Sequence, residues 1–271
     1  MLELIPLGPP PWPTIDPFLF CVHHVDAYPA GNGHFGPAVP LTGRDLGQDF
    51  SGRAGWSMYH GRSVPGFPQH PHRGFETVTF VRRGLIDHSD SLGATARYGE
   101  GDVQWMTAGG GIVHAEMFPL LHADQPNPAE LFQIWVNLPR RDKLVDPHFS
   151  MFWDEGIPRH DAIDDDGRST EVTVVAGALG DARPSSPPPH SWAARPDADV
   201  AIWHLRLDPN AKWTLPPATH PDTGRMFYVF DGDGTAVASH VVGLPTAAVL
   251  QGDLPVVLTA GPHGAQCLLL Q

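Results

Sequence analysis

His70-Pro71-His72-Arg73-Gly74-Phe75-Glu76, answered further along by His114-Ala115-Glu116, is the stretch from which the chain is read. Imidazoles at i and i+2 on an extended backbone share one face, because strand side chains alternate with period two. His114 and Glu116 repeat that spacing on a second strand. Facing each other, the two pairs supply three neutral nitrogens and one carboxylate, a donor set suited to a divalent first-row transition metal. Glu76 is a fifth candidate, four residues after His72 and in phase with it on an unbroken strand. The residues alone leave both carboxylates open as ligands. The chain has sixteen histidines, and any single one is more often a surface or hydrogen-bonded group than a ligand. The doubled spacing between Gly-punctuated, β-rich runs is what sets these apart.

Composition points to an all-β protein. Thirty prolines and twenty-nine glycines among 271 residues suit short strands joined by turns and not long helices. Apolar residues make up 41% of the chain, enough for real cores. The length favours two compact units or one large β domain. A formal net charge of −13 argues against direct nucleic-acid binding, which needs a basic face to displace counterions. Arg82-Arg83 and Arg140-Arg141 are read as solvated turn and linker residues. Cys21 and Cys267 are the only cysteines and form no framework of spacings, which favours a reducing compartment. No secretory h-region and no run of eighteen apolar residues is present, so the expectation is a cytoplasmic protein without a membrane partner.

Along the chain, residues 1–65 are irregular apart from a strand at Phe18–Val22, and residues 26–55 read as a long loop. Trp56–His60 is a candidate short strand. Regular β patterning begins at Phe75, with a hairpin over Leu85–His88 and Ala94–Tyr98. The Gly109-Gly110-Gly111 bend then delivers Ile112–Met117, and Leu131–Leu138 forms a long apolar strand. The predicted organisation is residues 1–140 as a metal-binding unit, 141–170 as connector and 171–271 as a second unit without metal. Residues 215–271 read as a worn copy of residues 67–119. That alignment puts Gln266 where His114 stands and Leu268 where Glu116 stands, and leaves one imidazole, His220, near the His72 position.

These words also carry a family likeness. His70-Pro71-His72-Arg73-Gly74-Phe75-Glu76-Thr77-Val78, Gly101–Gly109, Gly111–Met117 and Phe132–Pro139 resemble the pirin family, whose members are bicupins. The likeness is strong over residues 67–150 and weaker at Ile15–Leu19 and in the C-terminal copy. It implies two cupin barrels (double-stranded β-helix, or jelly-roll) packed in tandem, with one metal, usually iron, in the N-terminal one. By motif match the ligands fall on His70, His72, His114 and Glu116, which moves Glu76 from ligand to pocket residue. Three departures stand out: Gly110 replaces the arginine usual in that bend, residues 26–65 form an insertion, and the chain ends at Leu268-Leu269-Leu270-Gln271, where pirins usually continue.

The family is described in two ways, as quercetinases that open a flavonol ring with O₂ and as cofactors of transcription regulators. The first expectation is therefore an Fe(II)-dependent dioxygenase acting on quercetin or another phenolic ring with O₂. Zn, Mn, Ni and Cu are the other candidate ions. Four protein ligands leave two positions of a six-coordinate ion for substrate and O₂. Glu76 is then the candidate catalytic base for the substrate hydroxyl. Trp105, Met106, Phe132 and Trp135 are candidate pocket walls, although large strand side chains more often fill a barrel interior. The second expectation is a non-catalytic, metal- or redox-sensing regulator with a protein partner, which the acidic charge suits better than bare DNA. A third is an isomerase or storage-type cupin with Zn or Mn in the same cage.

Overall fold

A computed structural model describes residues 3–271. The chain divides into two compact units, Cys21–Asp154 and, together, the residues up to Phe20 with Glu155–Gln271. After β1 (Glu3–Pro6) come β2 (Phe18–Asp26), β3 (Gly66–His72), β4 (Phe75–Arg83), β5 (Leu85–Asp90) and β6 (Thr95–Gly99). Then follow β7 (Val103–Thr107), β8 (Ile112–Met117), β9 (Ala129–Asn137) and β10 (His148–Phe152). Strands β3 to β10, with β2, make two antiparallel sheets, ordered β10-β7-β4-β9-β2 and β3-β8-β5-β6. The inner faces of the two sheets bury the core, the usual solution for sheets that are apolar on one face. The all-β, two-barrel expectation holds. Helical segments among the described residues are single 3₁₀ turns, and no helix is long and apolar enough to cross a membrane.

Strand β8, Ile112-Val113-His114-Ala115-Glu116-Met117, alternates buried and half-buried residues without a break. Its even-numbered side chains point inward as a set. Strand β3 pairs with it so that His70 stands opposite His114 and His72 opposite Ile112. This approach depends on Gly66, whose φ is +123° and where a Cβ would lie 2.5 Å from the Glu116 carbonyl oxygen. Only glycine tolerates that conformation and that closeness. An aromatic cluster including Tyr28, Trp56, Tyr59, Tyr98 and Phe118 fills one part of the barrel, and Met106, Ala108 and Ile112 form a smaller apolar group. The His/Glu residues sit between these groups: Tyr98 approaches Glu116, and Ile112 pairs with His72.

The long segment after β2 is ordered by a buried polar knot. Arg44 donates to Asp49 Oδ2 at 2.7 Å and to the carbonyls of Trp56 and Arg53, and its guanidinium lies 3.3 Å from the centre of the Trp56 ring. Trp56–His60 is no strand. Tyr59 makes only isolated bridges, to Asp49 and Gly66. Backbone amides of this segment are met instead by buried carboxylates: Asp49 Oδ2 accepts from Met58 N–H at 3.0 Å and Asp26 Oδ1 from Ser57 N–H at 2.8 Å.

The second unit contains β11 (Arg159–Ile163), β12 (Ser169–Ala176), β13 (Ile202–Leu207), β14 (Lys212–Leu215) and β15 (Arg225–Asp231). It continues with β16 (Ala236–Val237), β17 (His240–Val241), β18 (Thr246–Leu250), β19 (Val256–Thr259) and β20 (Ala265–Leu270). Its sheets are ordered β1-β18-β15-β20-β13-β12-β11 and β14-β19-β16-β17. The run β7-β4-β9-β2 of the first unit thus reappears as β18-β15-β20-β13, and β3-β8-β5-β6 as β14-β19-β16-β17. Residues 141–170, expected as connector, hold β10 and β11, each paired into a sheet. Next to β18, the edge that corresponds to β10 is taken by β1.

That correspondence corrects the internal alignment. The repeat itself holds, with β15 answering β4, but Gln266 and Leu268 lie on β20, the counterpart of β9. The counterpart of β8 is β19, whose buried residues are Val256 and Leu258. Thr107-Ala108-Gly109 and Thr259-Ala260-Gly261 are the same word at non-equivalent places: the first ends β7, whose counterpart is β18, and the second ends β19, the counterpart of β8. His220 lies exposed between β14 and β15.

Candidate metal centre

The inner face of β3-β8-β5-β6 carries the cluster. The ring centroids of His70 and His114 are 4.4 Å apart, those of His72 and His114 4.8 Å, and those of His70 and His72 4.7 Å. One ring nitrogen from each of these three lies within 4.8 Å of the other two. His70 Nδ1 donates to the Pro68 carbonyl at 2.8 Å, which leaves the Nε2 lone pair directed at His72 Nε2, 3.0 Å away. Burial, then the neighbouring imidazoles His114 and His70, push the His72 pKa down to about 3. Burial, then His70 and His88, bring His114 to about 3 as well. At neutral pH both rings are therefore uncharged and offer lone pairs.

Glu116 is buried beside them. Thr79 Oγ1 lies 3.0 Å from its Oε1, the Tyr98 hydroxyl 3.4 Å from the same oxygen, and Gln133 Nε2 3.5 Å from Oε2. With His114 and His88 it forms a second trio of donor atoms mutually within 4.8 Å. His88 and Asp90 were not singled out by the sequence reading. The signal was there, since His88-Ser89-Asp90 repeats the i, i+2 spacing on a strand, but only the pairing of β5 with β8 brings it to the cluster.

The donors fit a divalent cation. Both nitrogens of the His114 ring are buried without a hydrogen-bond partner in the protein. A buried polar atom left unpaired costs roughly 1–3 kcal/mol. Three converging imidazoles and a nearby carboxylate form the set that a first-row transition metal satisfies.

Strand register sorts the remaining candidates. On β4, Thr77 stands opposite Met106 of β7 and Trp135 of β9, and Thr79 opposite Gln104 and Gln133. These residues share the face that reaches Glu116. Trp135 also meets His72, with ring centroids 5.4 Å apart. Glu76 stands opposite Thr107 and Val136, Val78 opposite Trp105, and Phe80 opposite Phe132, so these lie on the other face. Glu76 Oε1 accepts from the Thr107 hydroxyl at 2.7 Å, and Phe132 stacks on His23. The expectation that Glu76 continues the phase of His72 therefore fails. Gly74, at φ +79°, breaks β3 from β4 and resets the alternation. Of the four pocket candidates, Met106 and Trp135 face the cluster, whereas Trp105 and Phe132 do not. In the glycine bend, Gly109 (φ +50°) allows close approach to the Val145 carbonyl, and Gly110 donates its N–H to the same oxygen at 2.8 Å.

A β-barrel with an inward His/Glu cluster beside an aromatic wall defines a cupin-type protein with a candidate metal centre. The family model described as Pirin matches residues 46–136. A Pseudomonas aeruginosa protein named "Putative quercetin 2,3-dioxygenase PA2418" is 37% identical over 252 residues, 93% of this chain and 80% of that protein. Human "Pirin" is 43% identical over 124 residues, 45% of this chain and 39% of its own length. Among solved structures, a quercetin 2,3-dioxygenase from Acinetobacter baumannii superposes with a TM-score of 0.69 at 26% identity, covering 94% of this chain and 74% of that one. The chain belongs to the pirin family.

Proposed function

We propose that this protein is a metal-dependent dioxygenase that opens a flavonol such as quercetin, or a related phenolic ring, with O₂. In this reading His70, His72, His114 and Glu116 hold one divalent ion, Fe(II) foremost. The observation that carries it is the convergence of three histidines beside Glu116, with the His114 ring buried and unpartnered. The names of the P. aeruginosa and A. baumannii relatives supply the substrate class. Fe(II) bound there supplies Lewis acidity toward a substrate enolate and a route for electron density to O₂.

The protein's own residues supply position and exclusion. His70 and His72 are half-buried, so a planar substrate approaches from their side. Trp135 and Phe75, their rings 4.6 Å apart beside His72, offer an aromatic wall for it. Thr79, Tyr98 and Gln133 orient Glu116 from within the barrel. A substrate hydroxyl brought to the cluster meets the Glu116 carboxylate. Glu76 is turned to the other face of β4, so the proton-accepting role passes from Glu76 to Glu116 Oε1 or Oε2. The test is anaerobic reconstitution with Fe(II), followed by quercetin loss and O₂ uptake after mixing with air-saturated buffer. Turnover no faster than with free Fe(II), across quercetin and simpler phenols, overturns the reading.

A further inference from the structure

The ligands implied by the family resemblance leave His88 and Asp90 without a part, yet both face the cluster. In the β5–β8 register His88 stands directly opposite Glu116, and Asp90 opposite His114. His88 Nε2 meets Asp90 Oδ2 at 3.1 Å, and neither side chain is accessible to solvent. Asp90 is itself fixed, because its Oδ1 accepts the backbone N–H groups of Leu92 at 2.8 Å and Ala94 at 3.0 Å. The other nitrogen, His88 Nδ1, is buried and has no hydrogen-bond partner. A carboxylate behind one nitrogen of an imidazole sets the tautomer and raises the basicity of the other, which prepares the ring to hold a cation.

We propose that His88, His114 and Glu116 form a second, deeper seat for a divalent cation. It shares His114 and Glu116 with the seat proposed above and replaces His70 and His72 by His88, so the two are alternative positions for one ion. The proposal rests on the reading that this cluster binds a metal. His88, His114 and Glu116 are 3%, 1% and 3% exposed, whereas His70 and His72 are half-buried. An ion in the deeper seat is withdrawn from the mouth of the barrel. The balance between the seats then sets how much of the bound metal faces substrate.

The test is Co(II) titration of the metal-free, full-length protein, followed by equilibrium dialysis and by the visible absorption of the bound ion. Wild type, H70A/H72A and H70A/H72A/H88A are compared. The truncations at 70 and 72 remove half-buried side chains, and near-UV circular dichroism checks that the barrel stays folded. The double variant is expected to keep one equivalent of Co(II), more weakly and with a changed spectrum, and the triple variant none. Asp90→Asn in the double background is expected to weaken the retained binding by about 10- to 100-fold. If H88A does not fold, His88→Gln takes its place. A folded double variant that binds no more Co(II) than the triple overturns the deeper seat. No binding by wild type removes the metal reading itself, and the proposal with it.

Discussion

The two buried glutamates of the first barrel make opposite predictions, and exchanging each for glutamine separates them. In Glu116→Gln a neutral amide replaces the carboxylate, so a divalent ion held with three neutral imidazoles goes from net +1 to +2. Glu116 Oε1 lies 3.0 Å from the Thr79 hydroxyl, which favours the new carbonyl oxygen there. The new NH₂ then falls on the Oε2 side, 3.5 Å from Gln133 Nε2, where two donors face each other. Loss of an outer partner of a metal ligand already costs about 10- to 100-fold in affinity. Loss of the charged donor should reach at least the upper end, about 100-fold or roughly 2.8 kcal/mol. Glu76→Gln keeps the shape, and its amide oxygen still accepts the Thr107 hydroxyl, 2.7 Å away in the wild type. Lying on the other face of β4, it should shift affinity by less than about threefold, well below that outer-partner range. The assay is competitive titration of the metal-free proteins with a chromophoric chelator and Zn(II), with thermal melts of the metal-free forms as controls. Metal loss in Glu76→Gln with retention in Glu116→Gln would refute the face assignment and the ligand set together.

Four further outcomes are expected. Gly109→Ala forces a φ of +50° on alanine and sets its Cβ 2.1 Å from the Val145 carbonyl oxygen, so chemical denaturation should show a loss of about 2 kcal/mol or more. Arg44→Ala leaves Asp49 buried without its cation, the pair's side chains being 4% and 1% exposed. Urea unfolding should record a loss of about 3 to 5 kcal/mol. Burial raises the Asp26 pKa from 3.8 to about 6, against its bonds to Tyr59 and Ser57. The folded state therefore holds this proton more tightly, so the stabilisation is complete below about 3.8, and it is lost as pH rises through about 6. Asp26→Asn should accordingly gain on wild type between pH 4 and pH 7, by about 2 to 3 kcal/mol in paired denaturation curves. Excess divalent ion at 100 times its Kd should stabilise the first barrel by about 2.7 kcal/mol, and a chelator should reverse the rise in Tm.

The local code was legible. Period-two spacing marks His70 with His72 and His114 with Glu116, and the structure brings His70, His72 and His114 together and puts Glu116 beside His114. The density of glycine and proline, with the β-rich runs between them, is enough to give the all-β class. Phase across a bend is not a local property. A left-handed glycine at position 74 turned Glu76 away from the cluster, and no count along the sequence reveals that. Strand order is equally non-local. Only the hydrogen bonding of β5 to β8 sets His88 opposite Glu116, and only the sheet order shows that β19, not β20, answers to β8. Side-chain alternation is fixed by the backbone of a single strand, so the sequence determines it. Which strands pair, and which face survives a turn, is decided by packing between distant segments, so the tertiary structure alone assigns those residues.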